Sequence, residues 1–206
     1  MSTFPQSVVH GGRSHRPRAG SLRDALRSRT SDAHSALERT PLMLAFSSGT
    51  ADRRYASAYL SRQYRLHRDL ERALARVLPA DFATTRLCRT DWLVEDLDRL
   101  GLPLDVRPAP TPRLDSAAAG IGALYVIEGS ALGLETVRRR LASAGEPCWA
   151  LDSRFVRGHG AATAARWREF LHALESLPEA GWPEACVAAE RTFDAFHRLF
   201  KDDFDE

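Results

Sequence analysis

The chain has little net charge and almost no lysine, and this narrows the range of its functions. Its 206 residues carry 29 basic and 27 acidic side chains, for a net charge of +2, and Lys201 is the only lysine. A basic excess this small is not typical of a protein that binds nucleic acid through its overall charge. We therefore expect no nucleic-acid partner.

Cysteine is also scarce, and no long hydrophobic run is apparent. The three cysteines, Cys88, Cys148 and Cys186, lie far apart and form no Cys-x-x-Cys pair. An odd number at such spacing argues against a disulfide framework and against a zinc site, and it is typical of thiols in a reducing compartment. We find no apolar run of the roughly 20 residues that cross a bilayer, and no signal-peptide core. We therefore expect a cytoplasmic protein without a membrane partner.

The composition is that of one folded domain preceded by a tail. Hydrophobic residues make up 44% of the chain and charged residues 27%, values that are ordinary for a globular protein. Residues 1–20 contain scattered proline, glycine, arginine and histidine without apolar periodicity, which predicts a flexible N-terminal tail. Residues 21–206 are long enough for a single helical domain with its own core.

Apolar residues recur at steps of three and four along the rest of the chain, which predicts an all-α fold. We predict a first helix that begins at the N-cap Ser21 and ends near Glu38, followed by helices over about 52–78, 82–100, 114–142, 159–177 and 183–204. No sustained alternation of apolar and polar residues indicates a strand. The sequence therefore predicts a single-domain bundle of several helices.

The first helix carries a histidine beside its apolar stripe. Residues Leu22, Leu26 and Leu37 belong to that stripe, and His34 falls on the same side, so we expect its imidazole to face the interior. Arg27 precedes His34 by two helical turns, about 10 Å along the axis. Imidazole is a proximal ligand of haem iron in several folds, and arginine can hold a carboxylate in a fork. On this segment alone, a hydrogen-bonded core histidine is the more common case.

A later helix is unusually rich in glycine. Gly120, Gly122, Gly129 and Gly133 lie inside one strongly apolar pattern, and each costs about 1 kcal/mol relative to alanine in a helix interior. Such a cost is accepted where the main chain must approach something closely or must bend. Gly129 and Gly133 are four residues apart, so they open one face against which a planar macrocycle could lie. The alternative is close packing against another helix.

Together these segments resemble the haem oxygenase family, and in particular the bacterial biliverdin-producing enzymes that accompany bacteriophytochromes. The matching pieces, in chain order, are Leu22-Arg23 with Thr30, His34, Leu37 and Glu38; Gly122-Ala-Leu-Tyr-Val-Ile-Glu-Gly-Ser130 with Leu132-Gly133; and Gly158-His159-Gly160 with Thr163, Trp167 and Phe170. The resemblance extends from Leu22 to Phe204. It implies a haem oxygenase-like helical bundle.

The resemblance also implies roles for particular residues. His34 would be the proximal iron ligand, and Arg27 would pair with a haem propionate. Gly129, Ser130 and Gly133 would form the distal, catalytic side, where oxygen binds.

Further residues are candidates for lining the expected pocket. Tyr125 is a second candidate for the anionic edge, and Phe193, with Phe196 and Phe200 at helical spacing, could form a wall, although a plain core stripe is the more common arrangement. Leu134 stands where family members often have a second glycine. Its side chain could narrow the distal pocket, reorient the ring or point away from it.

The implied reaction is the cleavage of haem, iron protoporphyrin IX, by O₂ and an external electron donor of the ferredoxin or flavoprotein type. The products would be biliverdin, carbon monoxide and ferrous iron, and a bacteriophytochrome could accept the biliverdin. Haem would be both cofactor and substrate. If His34 were not the ligand, the substitutes on helices would be His67, His172 and His197.

Three other functions remain open. A haem-binding or haem-sensing protein of the same fold could have lost turnover because of Leu134. An enzyme of the thiaminase-like branch would need a pocket cysteine, and none of the three cysteines lies in a suggestive setting. A plain helical interaction module would bind no chromophore.

Overall fold

A computed structural model describes residues 20–48, 52–144 and 149–201. Within these ranges the chain forms helices and no strand, which confirms the all-α fold. The helices are α1 (Leu22–Glu38), α2 (Pro41–Ser48), α3 (Arg53–Val77), α4 (Ala80–Thr84), α5 (Arg89–Arg99), α6 (Ala117–Ala144), α7 (Trp149–Asp152), α8 (Arg154–Arg157), α9 (Thr163–Glu175) and α10 (Trp182–Phe200). Nearly all of the proposed tail, and Cys148, lie outside the described residues.

Local capping chemistry sets the starts of the two helices that the sequence predicted best. The Ser21 side chain accepts a hydrogen bond from the Asp24 amide at the start of α1. The Asp52 carboxylate accepts one from the Tyr55 amide at the start of α3. Each satisfies an amide that has no partner within its own helix. Gly101, with a φ of 66°, ends the α5 segment in the left-handed conformation that glycine adopts easily.

The predicted helix over 82–100 is wrong as a single element, because the chain breaks between α4 and α5. The buried carboxylate of Glu71, on α3, accepts hydrogen bonds from the amides of Arg89 and Thr90 at 2.8 and 3.2 Å. It thereby caps the first turn of α5 from another helix. The buried Asp96 of α5 does the same for α8, since it accepts from the amides of Arg154 and Phe155. These caps come from residues distant in sequence.

Helix α10 lies at the centre of the bundle and packs against both α1 and α6, while α3 packs mainly against α5. Backbone contact between α1 and α6 themselves is marginal, so α10 is the main element that holds these two helices in the same bundle. Their shared core includes Leu26, Leu124, Ala189 and Phe196. The two helices that carry the predicted site residues therefore stand on a common support.

Our expectation of no membrane-length apolar segment is wrong for α6. Within the described residues this one helix, over Ala117–Ser143, is long and apolar enough to span a membrane by length and composition. However, 56% of its apolar window is buried inside the protein. Such burial is typical of the core helix of a globular domain.

Candidate functional site

The imidazole of His34 is exposed, so the prediction that it faces the interior is wrong. Its side chain is 54% exposed, whereas Leu26 and Thr30 of the same helix are buried. The reason is rotation about the helix axis: at about 100° per residue, His34 lies about 80° from the Leu26 position, at the border of the apolar stripe. Arg27 is exposed on nearly the same side, as the spacing predicted.

Two contacts orient this imidazole. The Nδ1 atom of His34 lies 3.6 Å from Oε2 of Glu38, one turn further along α1. The ring of Phe193, on α10, meets the imidazole edge to face at a centroid distance of 5.4 Å. Because the carboxylate faces Nδ1, that nitrogen is the one suited to carry the proton, and Nε2 is the one suited to bind a metal.

A basic edge lies where α1 approaches α6. Burial raises the pKa of Tyr125; the positive charges of Arg23 and Arg27 oppose that rise, and the smaller effect of Asp24 adds to it. The phenol of α6 therefore lies within electrostatic reach of both guanidinium groups of α1. The Tyr125 ring also packs against Trp167 of α9 at 5.8 Å. Arg27 of α1 and Tyr125 of α6 therefore interact electrostatically.

The four glycines of α6 divide into two structurally different pairs. An added Cβ at Gly122 would overlap the carbonyl oxygen of Ala185 and stand 2.6 Å from its carbonyl carbon, because α6 and α10 approach backbone to backbone there. At Gly120 an added Cβ would stand 2.9 Å from side-chain atoms of Leu78 and Val77. Gly120 and Gly122 are therefore explained by close packing of α6 against its neighbours, the alternative that the sequence left open.

The second pair opens a face, as the sequence predicted. Among the described residues outside the neighbouring turns of α6, no atom lies within 4 Å of a Cβ at Gly133, and the Trp167 ring alone, at 4.0 Å, approaches one at Gly129. Gly133 is exposed and Gly129 half-buried. A flat ligand could therefore contact the main chain of α6 at this point.

Ser130 and Leu134 follow these glycines but point differently. The hydroxyl of Ser130 donates to the Ile127 carbonyl oxygen at 2.7 Å, so its own oxygen lone pairs stay available as acceptors. Leu134 is only 9% exposed and packs in the hydrophobic core. Its side chain thus points away from the open face at Gly133. Phe193 is 7% exposed and borders His34, while Phe196 and Phe200 are buried in the core stripe.

The substitute histidines differ in accessibility. His67 is fully buried, and neither of its ring nitrogens has a hydrogen-bond partner within the described residues. It lies between the rings of Phe155 and Phe196, and burial lowers its pKa well below the ordinary value, with Arg89 adding to the shift. His172 is exposed on α9, and His197 is half-buried on α10.

Sequence reasoning missed a buried polar row along α3. Tyr59, Gln63, His67 and Glu71 follow one another at steps of four, and each is less than 9% exposed. The i, i+4 spacing puts them on one face of the helix. The signal that could have found them is this polar spacing inside an otherwise apolar stripe, which a search for apolar periodicity alone passes over.

Sequence reasoning also missed a buried charge cluster next to the open face of α6. The Oε1 atom of Glu128 lies 3.4 Å from a guanidinium nitrogen of Arg86 and 3.9 Å from one of Arg89. All three side chains are at most 4% exposed. Since both arginines lie about 40 residues from Glu128 in sequence, no local pattern indicates this cluster.

Comparisons with known proteins agree with this architecture. A family model described as Heme oxygenase matches residues 20–202. The fold is similar to that of a haem oxygenase from Leptospira interrogans, with a TM-score of 0.68 and 19% identity over 88% of this chain and 99% of that one. It is also similar to the NO- and CO-bound haem oxygenase from Neisseria meningitidis, with a TM-score of 0.69 and 20% identity over 90% of this chain and 93% of that one.

The same architecture occurs in a TenA homologue from Pyrococcus furiosus, with a TM-score of 0.65 and 13% identity over 87% of this chain and 98% of that one. At such identity the structural likeness shows the fold alone. It therefore does not distinguish a haem oxygenase from a TenA-like protein. No curated protein matches the sequence. The family match over residues 20–202 is what distinguishes between them.

Proposed function

Because the chain belongs to the haem oxygenase family, we propose that it binds haem through His34 and converts it into biliverdin, carbon monoxide and ferrous iron. Haem is the substrate, and O₂ and an external electron donor are consumed with it. The proposal includes Arg27 and Tyr125 at the propionate edge, and Gly129, Ser130 and Gly133 on the distal side.

The observation that carries the proposal is the exposed imidazole of His34. Its Nδ1 atom faces Glu38 at 3.6 Å, which leaves Nε2 for a metal. One imidazole suffices for haem iron, because the porphyrin nitrogens supply most of the remaining ligands. A carboxylate beside one ring nitrogen favours the tautomer that leaves the other nitrogen for a metal. The residues present therefore fit the group.

The remaining residues fit a flat, dianionic ligand. Arg27 and Arg23 supply positive charge for two propionates, and arginine holds a carboxylate in a fork. The open main chain at Gly129 and Gly133 admits a planar ring at closer range than any side chain would. Phe193 offers an apolar edge beside the ligand histidine.

When bound, haem supplies the iron that activates O₂ and the ring carbon that is oxidised. The chain's own contribution is to orient the ring and to place acceptors and ordered water on the distal side. Ser130 presents oxygen lone pairs there, since its proton is donated to Ile127. No side-chain acid or base is assigned to the reaction.

The experiment that tests the proposal adds hemin and a reductant to the purified protein under air. We expect a Soret band on mixing, and then its loss with growth of bilin absorbance, carbon monoxide release and chelatable ferrous iron. A Soret band that persists without bilin would exclude turnover and leave only haem binding. No chromophore at all would favour an interaction module.

The alternative of a haem-binding protein without turnover has less support, because it depended on Leu134 blocking the pocket. The burial of that side chain in the core favours the third possibility, that it points away. A ferredoxin or flavoprotein reductase as donor and a bacteriophytochrome as acceptor remain predictions that follow from the resemblance, and a cytoplasmic location remains a prediction from the cysteine pattern and hydropathy of the sequence.

A further inference from the structure

Glu128, Arg86 and Arg89 form a buried ion cluster, here called the charge triad, directly before the first open glycine of α6. Arg86 lies in the segment that joins α4 to α5, and Arg89 is the first residue of α5. The Glu128 carboxylate lies within 3.4 and 3.9 Å of their guanidinium groups. A hydrogen bond fixes the main chain of Arg89, because its amide donates to the Glu71 carboxylate at 2.8 Å.

The triad is poorly suited to a purely stabilising role. Removing three charges from water costs more than their attraction returns unless the remaining hydrogen-bonding atoms are satisfied. Here Nε of Arg86 and Oε1 of Glu128 are buried without a hydrogen-bond partner within the described residues. Replacing a buried ion cluster by apolar residues of similar volume is often neutral or stabilising. The cluster therefore calls for a role in positioning.

The triad is coupled to Ser130 through one carbonyl group. A guanidinium nitrogen of Arg89 donates to the Ile127 oxygen at 3.2 Å, and the Ser130 hydroxyl donates to the same oxygen at 2.7 Å. A carbonyl oxygen has only two lone pairs. The Arg89 guanidinium, the Ser130 hydroxyl and the helix amide therefore compete for the Ile127 oxygen. Arg89 therefore influences how firmly the Ser130 proton is held away from the open face.

The triad is coupled to Gly129 through α9. Arg86 donates to the main-chain oxygen of Arg166 at 3.4 Å and lies 3.6 Å from the carboxylate of Glu169. Trp167 lies between these two residues in the sequence, and of the described side chains it is the one that approaches the Cβ position of Gly129. Arg86 thus ties α6 to the helix that limits the open face on one side.

We propose that the charge triad of Glu128, Arg86 and Arg89 is a positioning element of the haem site, which sets the placement of the Gly129 main chain and the direction of the Ser130 hydroxyl. This inference rests on the proposed function. The triad touches no reacting atom; it acts through Ile127 and through α9. Its loss should change how the ring is seated more than whether hemin binds.

The test compares Glu128→Gln with a matched control on the same helix. Glu135→Gln removes another carboxylate of α6 that pairs with two arginines, Arg138 and Arg139, at 2.9 and 2.7 Å. Hydrogen exchange of the amides at 127–133 is measured without hemin. The spectrum of the ferric hemin complex and the ratio of biliverdin isomers are measured with it.

For Glu128→Gln we expect exchange at these amides to rise several-fold, hemin still to bind, the ferric spectrum to shift and the isomer ratio to change. For Glu135→Gln we expect all of these to stay as in the wild type. Wild-type exchange, spectrum and isomer ratio in Glu128→Gln would overturn the proposal.

Arg89→Lys covers the case in which Glu128→Gln does not fold. It keeps the positive charge beside Glu128 but cannot reach both the carboxylate and the Ile127 oxygen as a guanidinium does. We expect the same changes, and wild-type behaviour would again overturn the proposal. Failure of the wild type to convert hemin would instead overturn the proposed function, because the exchange measurement needs no hemin.

Discussion

The main chain of Gly122 lies directly against the carbonyl group of Ala185, with no room for a side chain between α6 and α10. A Cβ at Gly122 would stand 2.6 Å from the Ala185 carbonyl carbon, and that backbone cannot move without shifting α10. Since α10 also supports α1, this approach sets the spacing of the two helices that carry the proposed site.

We therefore predict that Gly122→Ala destabilises the protein by about 2–3 kcal/mol, through overpacking against a main chain. The measurement is urea unfolding followed by circular dichroism. A variant with wild-type stability would show that α6 and α10 do not approach backbone to backbone at Gly122.

We predict that Gly133→Ala has the opposite effect on stability from Gly122→Ala. In the part of the chain that the structure describes, no atom beyond the neighbouring turns of α6 lies within 4 Å of the added methyl group, so alanine should stabilise the exposed helix by about 0.5–1 kcal/mol. If the open face receives haem, the same methyl group should slow turnover or alter the spectrum of the hemin complex. Increased stability with unchanged spectrum and turnover would remove Gly133 from the proposed site.

His34→Ala should abolish the spectrum of a histidine-ligated hemin complex and with it turnover. Added imidazole should restore the spectrum at least in part, because the lost side chain supplied only a ligand. His172→Ala, at an exposed position on α9, is the control and should leave the spectrum unchanged. If His34→Ala kept the wild-type spectrum, another residue would be the ligand.

Leu134→Ala should destabilise the protein by about 2–4 kcal/mol, because the side chain is 9% exposed and packs in the core. We expect no gain in hemin conversion per folded molecule. Leu134→Gly tests the same point more severely, with hemin conversion and thermal unfolding measured together. Activity that arises only in that variant would favour the haem-binding alternative.

We expect low pH to reduce the free energy of unfolding partly through protonation of His159. Burial lowers the pKa of His159 to about 4, with Arg166 and Arg89 among the charges that add to the shift. The unfolded chain, with a histidine pKa of about 6.5, then binds the proton more readily than the folded one. Stability due to this group is complete above pH 6.5, falls as the pH decreases towards 4, and is constant below that.

His159→Gln should therefore lose less stability than the wild type between about pH 7 and pH 4.5, as measured by urea unfolding. His172→Gln is the control at an exposed position. The buried His67 contributes in the same direction, so part of the acid sensitivity should remain. If His159→Gln and the wild type lost the same stability over this pH range, His159 would not be a source of the acid sensitivity.

Sequence reasoning succeeded where local forces dominate. Ser21 and Asp52 cap α1 and α3 through side chains that lie within three residues of the amides they bind, and apolar periodicity shows the faces of these helices. The short α2 was missed, and its two buried residues, Leu42 and Phe46, belong to the core that it shares with other helices. The break before α5 was missed because its cap, Glu71, comes from α3.

The sequence by itself determined that this is an all-α chain of the haem oxygenase family, and it singled out His34 and the glycines of α6, because helix periods, caps and short motifs are local properties. Only the tertiary structure decided that Gly122 is a packing glycine while Gly133 is open, that Leu134 is a core residue, and that Glu128 meets Arg86 and Arg89. These differences depend on which helix lies opposite each residue, and spacing along one helix carries no information about its neighbours.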